Sequence, residues 1–341
     1  MQQSKILDEL RRMSARVGRN ILLVQGAGGN SSVKHGDVLW VKASGTWLAD
    51  AEDKDIFVPV ALSAARAALA QGDERVPLAP NATTTLRASI ETSLHALMPH
   101  PVVLHVHSVN TIAWAVRSDA RDEFAERLHG LAWRSLGYHH PGLPLARAVG
   151  EIIAQDTVDV LILGNHGLVV GAADADAAEA LVHDVESRLA LPPREMRPAD
   201  HEALDRLCAG TDYQLPADPL CHSIATDPAS CAIATRGSLY PDHVVFLGPA
   251  MPLVGRGDGL AAMLSRASAK VPLPVAILVA DIGAVIRKDA SPGAQAMLSC
   301  LAHVAGRVPP SAEVRYLSAE NEQALLNWDA EHYRRQLSSN R

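Results

Sequence analysis

Two short and almost wholly apolar runs are each broken by histidine: VVLHVH at 102–107 and ILGNHGLVVG at 162–171. Runs of this length, rich in Val, Ile and Leu, read as buried strands. On a strand, residues i and i+2 face the same side, so His105 and His107 project together. Unpaired imidazoles in such a setting are costly to bury. His166 interrupts the second run in the same way, within Asn165-His166-Gly167. Taken singly, that tripeptide reads as a turn with an exposed histidine, since Asn and Gly favour turns. A metal ion shared by His105, His107 and His166 explains both interruptions together. Three protein nitrogens and one open position is the pattern of catalytic zinc, whereas structural zinc is usually closed by four ligands. The cysteines (Cys208, Cys221, Cys231 and Cys300) form no CxxC pair. They suggest neither a structural zinc site nor a secreted disulfide framework, and a reducing cytoplasm is the simple expectation.

The rest of the chain alternates in period. MQQSKILDELRRMSARVG opens with an amphipathic helix, its apolar face set by Ile6, Leu7, Leu10, Met13 and Val17. It lacks the apolar core and cleavage site of a secretory signal. ILLVQ (21–25) and VLWVKA (38–43) read as strands. The spacing predicts helices over 84–97, 109–118, 144–155 and 174–191, the last capped by Asp174. Residues 159–172 read as two strands broken at Gly164–Gly167. Proline and charge gather over 191–220, which places a boundary between a first unit at 1–205 and a C-terminal extension at 206–341. Beyond it, 243–248, 275–280 and 284–288 read as strands, and 259–268, 293–306 and 321–337 as helices. Asp242-His243, after Pro241, reads either as reaching the site or, more simply, as the start of a strand. The pattern predicts an α/β or α+β fold. The length of 341 residues suits one large domain or two ordinary ones. No apolar run approaches the roughly 20 residues that span a membrane. The net charge of −7 argues against a nucleic-acid surface.

Two further features sit near the histidines in sequence. Gln25-Gly26-Ala27-Gly28-Gly29-Asn30-Ser31-Ser32 looks superficially like a dinucleotide fingerprint, but its glycines lead to a turn and a strand rather than into a helix. Such a turn can still offer backbone N–H groups to an anion, with Ser44-Gly45-Thr46 adding donors. Glu91 lies in the apolar stretch ahead of the histidine strand. It reads either as part of a solvated helix face or as a fourth ligand, base or acid beside a metal.

GAGGNSS, VKASGTWL, ASIETSLHALMPH, VVLHVHSVNTIAWAV and LGNHGLVVGAADADAAEALVHDVE, in this order over roughly residues 5–205, resemble the class II aldolase/adducin family. LYPDHVVFLGP and NWDAEHYRRQL look like its longer members, among them the aldolase half of fused rhamnulose-phosphate aldolase/dehydrogenase proteins. The resemblance implies a three-layer α/β/α fold with a central, mainly antiparallel sheet, followed here by a smaller α/β region. It implies a homotetramer with active sites between subunits, Zn2+ or another divalent transition metal on His105, His107 and His166, and Glu91 as proton shuttle. It also implies an anion pocket around Gly29, Asn30, Ser44, Gly45 and Ser89, to which Lys42 can add a point charge. Ala27 and Ile90 stand where the short phosphate-binding aldolases carry hydroxyl residues. A neighbouring subunit often completes such sites, and Tyr138, His139 and His140 lie in a suitable region.

The expected activity is aldol cleavage of a small ketose, most simply a sugar phosphate, through an enediolate whose charge the metal carries. Alternatives on the same scaffold are a decarboxylase, an epimerase or a dehydratase. Epimerases of the family typically carry aspartate where Glu91 stands, which favours the aldolase. A non-catalytic adducin-like binding module would lack the metal histidines. The expected partners are a small hydroxy-carbonyl compound and further copies of the chain, not nucleic acid or membrane.

Overall fold

The computed structural model describes residues 2–257, 259–266 and 273–339. A seven-stranded sheet organises the first half: β1 (Asn30–His35), β2 (Val38–Lys42), β3 (Phe57–Ala61), β4 (Val102–Val106), β5 (Trp133–Leu136), β6 (Val160–Leu163) and β7 (Gly167–Ala172). Their spatial order is β3-β2-β1-β4-β7-β6-β5. Every neighbouring pair is antiparallel except β5–β6. The period-2 pattern decides which side chain faces which layer. Val102, Leu104 and Val106 pack with Leu10, Met13 and Val17 of helix Gln2–Gly18 and with Val182 and Val185 of helix Ala175–Arg188. Val103 points the other way, onto Leu94 of helix Thr92–Leu97 and onto Leu145 and Val149 of helix Leu143–Ile153. Along β2 and β3, Leu39, Val41, Val58 and Val60 meet helix Leu62–Ala70. The sheet is therefore the middle of three α/β/α layers.

A second, smaller sheet follows: β8 (Tyr213–Gln214), β9 (Leu253–Val254), β10 (Ala276–Val279) and β11 (Gly283–Arg287), in the order β8-β11-β10-β9. One of its faces, with Leu278 and Ile286, shares an apolar cluster with helix Pro292–Ala305 and with Val109, Ile112 and Ala113 of helix Val109–Ala115. The C-terminal region thus packs directly on the helix that follows the histidine strand. Among the described residues, no helix is long and apolar enough to cross a membrane.

Four sequence expectations are corrected. Residues 21–25 form turns, not a strand: the Asn20 carbonyl accepts from Leu23 N and Val24 N, and its side chain accepts from Leu22 N. Leu23 and Val24 are apolar because they are buried in the sheet's core. Residues 84–91 are not helical. Ala88 bridges to Ala43, with Ser44 N donating to Arg87 O and Ser89 N to Lys42 O, so a tertiary partner overrides local spacing. HVVFL belongs to a helix, Pro241–Leu247, every residue of which is buried, and Gly248 follows as its cap. A wholly apolar run carries no period by which helix and strand can be told apart. The expected helix at 321–337 is two, Ala319–Leu326 and Asp329–Ser339, broken at Asn327-Trp328. The last two residues of the helix expected at 259–268 lie outside the described residues.

Candidate metal centre and its cleft

The site is assembled where β1, β4 and the β6–β7 turn meet. The β1–β4 register sets Asn30 opposite His105, and the β4–β7 register sets His105 opposite Val169. His107 lies just past the end of β4, on the face that His105 defines. His166 is carried by the β6–β7 turn, in which Asn165 adopts a left-handed conformation with φ 52°. That backbone is held from outside: Asn165 Nδ2 donates to Leu239 O at 2.9 Å and to Arg315 O at 2.8 Å, both from the C-terminal region. Gly167 must lack a side chain, because a Cβ there would fall 2.5 Å from Val106 O.

All three imidazoles are buried, and one nitrogen from each lies within 4.8 Å of the others. His105 Nε2 and His107 Nε2 are 3.1 Å apart. Nitrogens bound tetrahedrally at about 2.0–2.1 Å would stand about 3.4 Å apart. His105 Nδ1 is paired with Leu168 O at 3.0 Å, which gives Nδ1 the proton and turns the Nε2 lone pair to the centre. Burial pushes the His105 imidazole below its ordinary range and that of His166 down to about 3, which favours the neutral form a ligand needs. The donor set therefore suits a divalent transition ion.

Glu91 faces the same point. Its Oε2 lies 3.5 Å from His105 Nε2 and its Oε1 3.6 Å from His166 Nε2. It is buried at the N-terminus of helix Thr92–Leu97, not on a solvated face. Asn30 Nδ2 donates to Oε2 at 2.7 Å, whereas Oε1 has no hydrogen-bond partner among the described residues. Burial opposes its charge, but the positive charge that His105, His166 and His107 take up when protonated outweighs that and holds the carboxyl at about 2.

The cleft beside Glu91 is lined by Gly29, Asn30, Lys42, Ser44, Gly45 and Ser89, with Ala27 and Ile90 among them. Lys42 is buried, and its ammonium donates to Ala27 O at 3.0 Å and Thr46 O at 2.6 Å. Burial, with Arg334 nearby, brings its pKa down to about 7. Ser89 Oγ accepts from Glu91 N at 3.2 Å. Tyr138, His139 and His140 are not among the lining residues, though Pro141 is. His140 instead packs on Trp328, ring centroids 4.6 Å apart.

Three charged lining residues stand outside the expected set of site residues: Asp242, Glu331 and Arg334. Of the two readings of Asp242, the strand start gives way: it stands in the first turn of helix Pro241–Leu247, with Oδ2 3.2 Å from His107 Nδ1. Burial would raise its carboxyl, yet Arg334 and His107 hold it well below the usual range. Glu331 and Arg334 are inward residues of helix Asp329–Ser339. Their only sequence signal is their position one turn apart on one face.

The match to the class II aldolase and adducin N-terminal domain family covers residues 9–191. A Bacillus subtilis (strain 168) protein described as an uncharacterized oxidoreductase, YuxG, is 28% identical over 185 residues, 49% of this chain and 27% of that protein. The chain thus aligns with about a quarter of that relative's length. The N-terminal class II aldolase domain of a conserved protein from Thermoplasma acidophilum is 26% identical with TM-score 0.46, covering 54% of this chain and 91% of that one. An L-fuculose 1-phosphate aldolase is 18% identical with TM-score 0.42, covering 55% and 84% respectively. With the family match running over more than half of its residues, the chain belongs to the class II aldolase and adducin family.

Proposed function

We propose that this chain is a metal-dependent carbon–carbon lyase of the class II aldolase type, cleaving and rejoining a small hydroxy-carbonyl compound. The observation that carries this reading is the convergence of His105, His107, His166 and the Glu91 carboxylate at one end of a polar cleft. A divalent ion on the three imidazoles, zinc by the chemistry of the donor set, would supply Lewis-acid polarisation of the substrate's oxygens. Glu91 delivers the proton to the carbon released by cleavage and removes it in the synthetic direction. Asn30 holds one Glu91 oxygen, so that the other, without a hydrogen-bond partner among the described residues, is left for that exchange. Gly29, Asn30, Lys42, Ser44, Gly45 and Ser89 receive the substrate's far end. A cytoplasmic homotetramer completes the reading, and sedimentation of the purified protein tests the assembly.

The second reading is a decarboxylase or epimerase acting on a sugar acid or sugar phosphate. It is favoured by Ala27 and Ile90, which line the cleft without a hydroxyl to offer a phosphate. Assaying ketose phosphates and sugar acids for release of an aldehyde or of CO2 separates the two. Metal analysis of the purified protein separates both from a non-catalytic binding module. His107→Ala is expected to lose most of the bound metal and of the activity. A His107→Ala protein with full metal and full turnover would sink the site. Glu91→Gln should keep the metal but stop deuterium entering the product ketone from heavy water; unchanged incorporation would remove Glu91 from the proton path.

A further inference from the structure

We infer that Asp242, held by Arg334, is the orienting partner of His107, so that the region beyond the family match builds part of the metal centre. This rests on the metal reading proposed for the three histidines. Asp242 lies outside residues 9–191, the segment that carries the family match. Its Oδ2 is 3.2 Å from His107 Nδ1, on the side of the ring away from His105. A carboxylate that accepts from Nδ1–H fixes the tautomer, leaves the Nε2 lone pair for the ion and makes the imidazole a stronger donor.

The carboxylate is itself fixed. Arg334 Nη1 donates to Oδ1 and Nη2 to Oδ2, each at 2.6 Å, a two-pronged contact that prevents the carboxylate from rotating. Both Glu331 oxygens lie 3.3 Å from Arg334 Nη1, and the guanidinium stands 5.5 Å from the Phe246 ring centroid. All three charged groups are buried. Stability alone is a poor reason for this arrangement, because desolvating such a set commonly offsets what its pairing returns. Gly28 leaves the space for it: a Cβ there would fall 2.7 Å from His107 Nδ1 and 3.1 Å from Asp242 Oδ2. The other two ligands are served differently. His105 has a backbone carbonyl, and His166 Nδ1 has no hydrogen-bond partner among the described residues. Asp242 is thus the carboxylate that sets one ligand's direction, and it acts as a positioning residue through His107.

The test is Co2+ binding to the full-length protein, read by chelator competition and by the visible ligand-field spectrum. Asp242→Asn is expected to bind Co2+ about 10–100-fold more weakly, with a changed spectrum. That variant leaves Arg334 buried beside a neutral amide, so the paired variant Asp242→Asn/Arg334→Met is measured beside it. Whichever of the two retains the parent circular dichroism should show the weakened binding. Parent affinity and parent spectrum in a folded variant would overturn the inference. His107→Ala serves as the control: if it loses Co2+ while Asp242→Asn does not, only the role of Asp242 fails. If His107→Ala keeps its Co2+, the metal reading fails with it.

Discussion

Lys42 is a cleft residue whose charge the fold opposes. Its ammonium donates to two backbone carbonyls, Ala27 O and Thr46 O, and burial lowers its pKa to about 7. An unfolded lysine titrates near 10.4. Between those values the unfolded chain binds more protons than the folded one, so this residue's contribution to stability rises with pH; below about 7 its cost is present in full. Lys34, which donates to His100 O at 2.7 Å, is shifted in the same direction for the same cause. Chemical denaturation at about pH 7.5 and about pH 9.5 should therefore show a gain that Lys42→Met reduces, by on the order of 2 kcal/mol. Equal gains in the parent and the variant would place a normal lysine there. The histidines were legible in the sequence because each breaks an apolar run, a conflict that demands a partner. Arg334 and Glu331 break nothing: in NWDAEHYRRQL they resemble the charged side of any surface helix, and only the tertiary structure turns them inward.

Elements were legible where a period exists and obscure where it does not. β4, β6 and β7 and the helix capped by Asp174 stand close to where the sequence places them. Asp174 accepts from Ala177 N at 2.8 Å, the expected capping contact. Helix Pro241–Leu247 is different. Pro241 at its first turn and Gly248 at φ 90° after its end are ordinary helix punctuation, but the apolar run between them imitates a buried strand. That misreading matters, because a strand over 243–248 gives no reason for Asp242 to face the histidines, whereas a helix starting at Pro241 sets its first turn against them. Likewise, a helix through 84–97 would have put Glu91 on a solvated face. The bridge at Ala88 ends the extended segment just before Glu91, and the carboxylate enters the core. The Gly-rich segment does not open a helix, as its sequence indicates, but β1 starts within it at Asn30 and runs to His35, where the spacing suggests a turn ahead of the strand at 38–43.

On the scale of the whole molecule, the sequence suggests two successive units, and the packing joins them. One apolar cluster includes Val109, Ile112 and Ala113 with Leu278, Ile286, Met297 and Leu301, so the small sheet and its helix share a core with the helix after β4. The centre lies along the same seam, with histidines from one side and Asp242 from the other. Spacing and motifs report on contacts within a segment, and the contacts across the seam have no such signature.

The Asn165 clamp makes this seam a two-way device. The residue beside His166 donates to Leu239 O and Arg315 O, so ordering the β6–β7 turn and docking the strands of chain around 239 and 315 are one event. The coupling is reciprocal: ordering the turn favours docking by the same free energy by which docking favours the ordered turn. Amide hydrogen exchange reads this directly. Loading the protein with Zn2+ should slow exchange at Arg315 N and Leu317 N, which donate to Val116 O and Ser238 O, although neither is a ligand. Protection confined to the β6–β7 turn would mean that the clamp transmits nothing. If the slowing reaches both amides, the C-terminal region senses the ion's occupancy from outside the first coordination sphere.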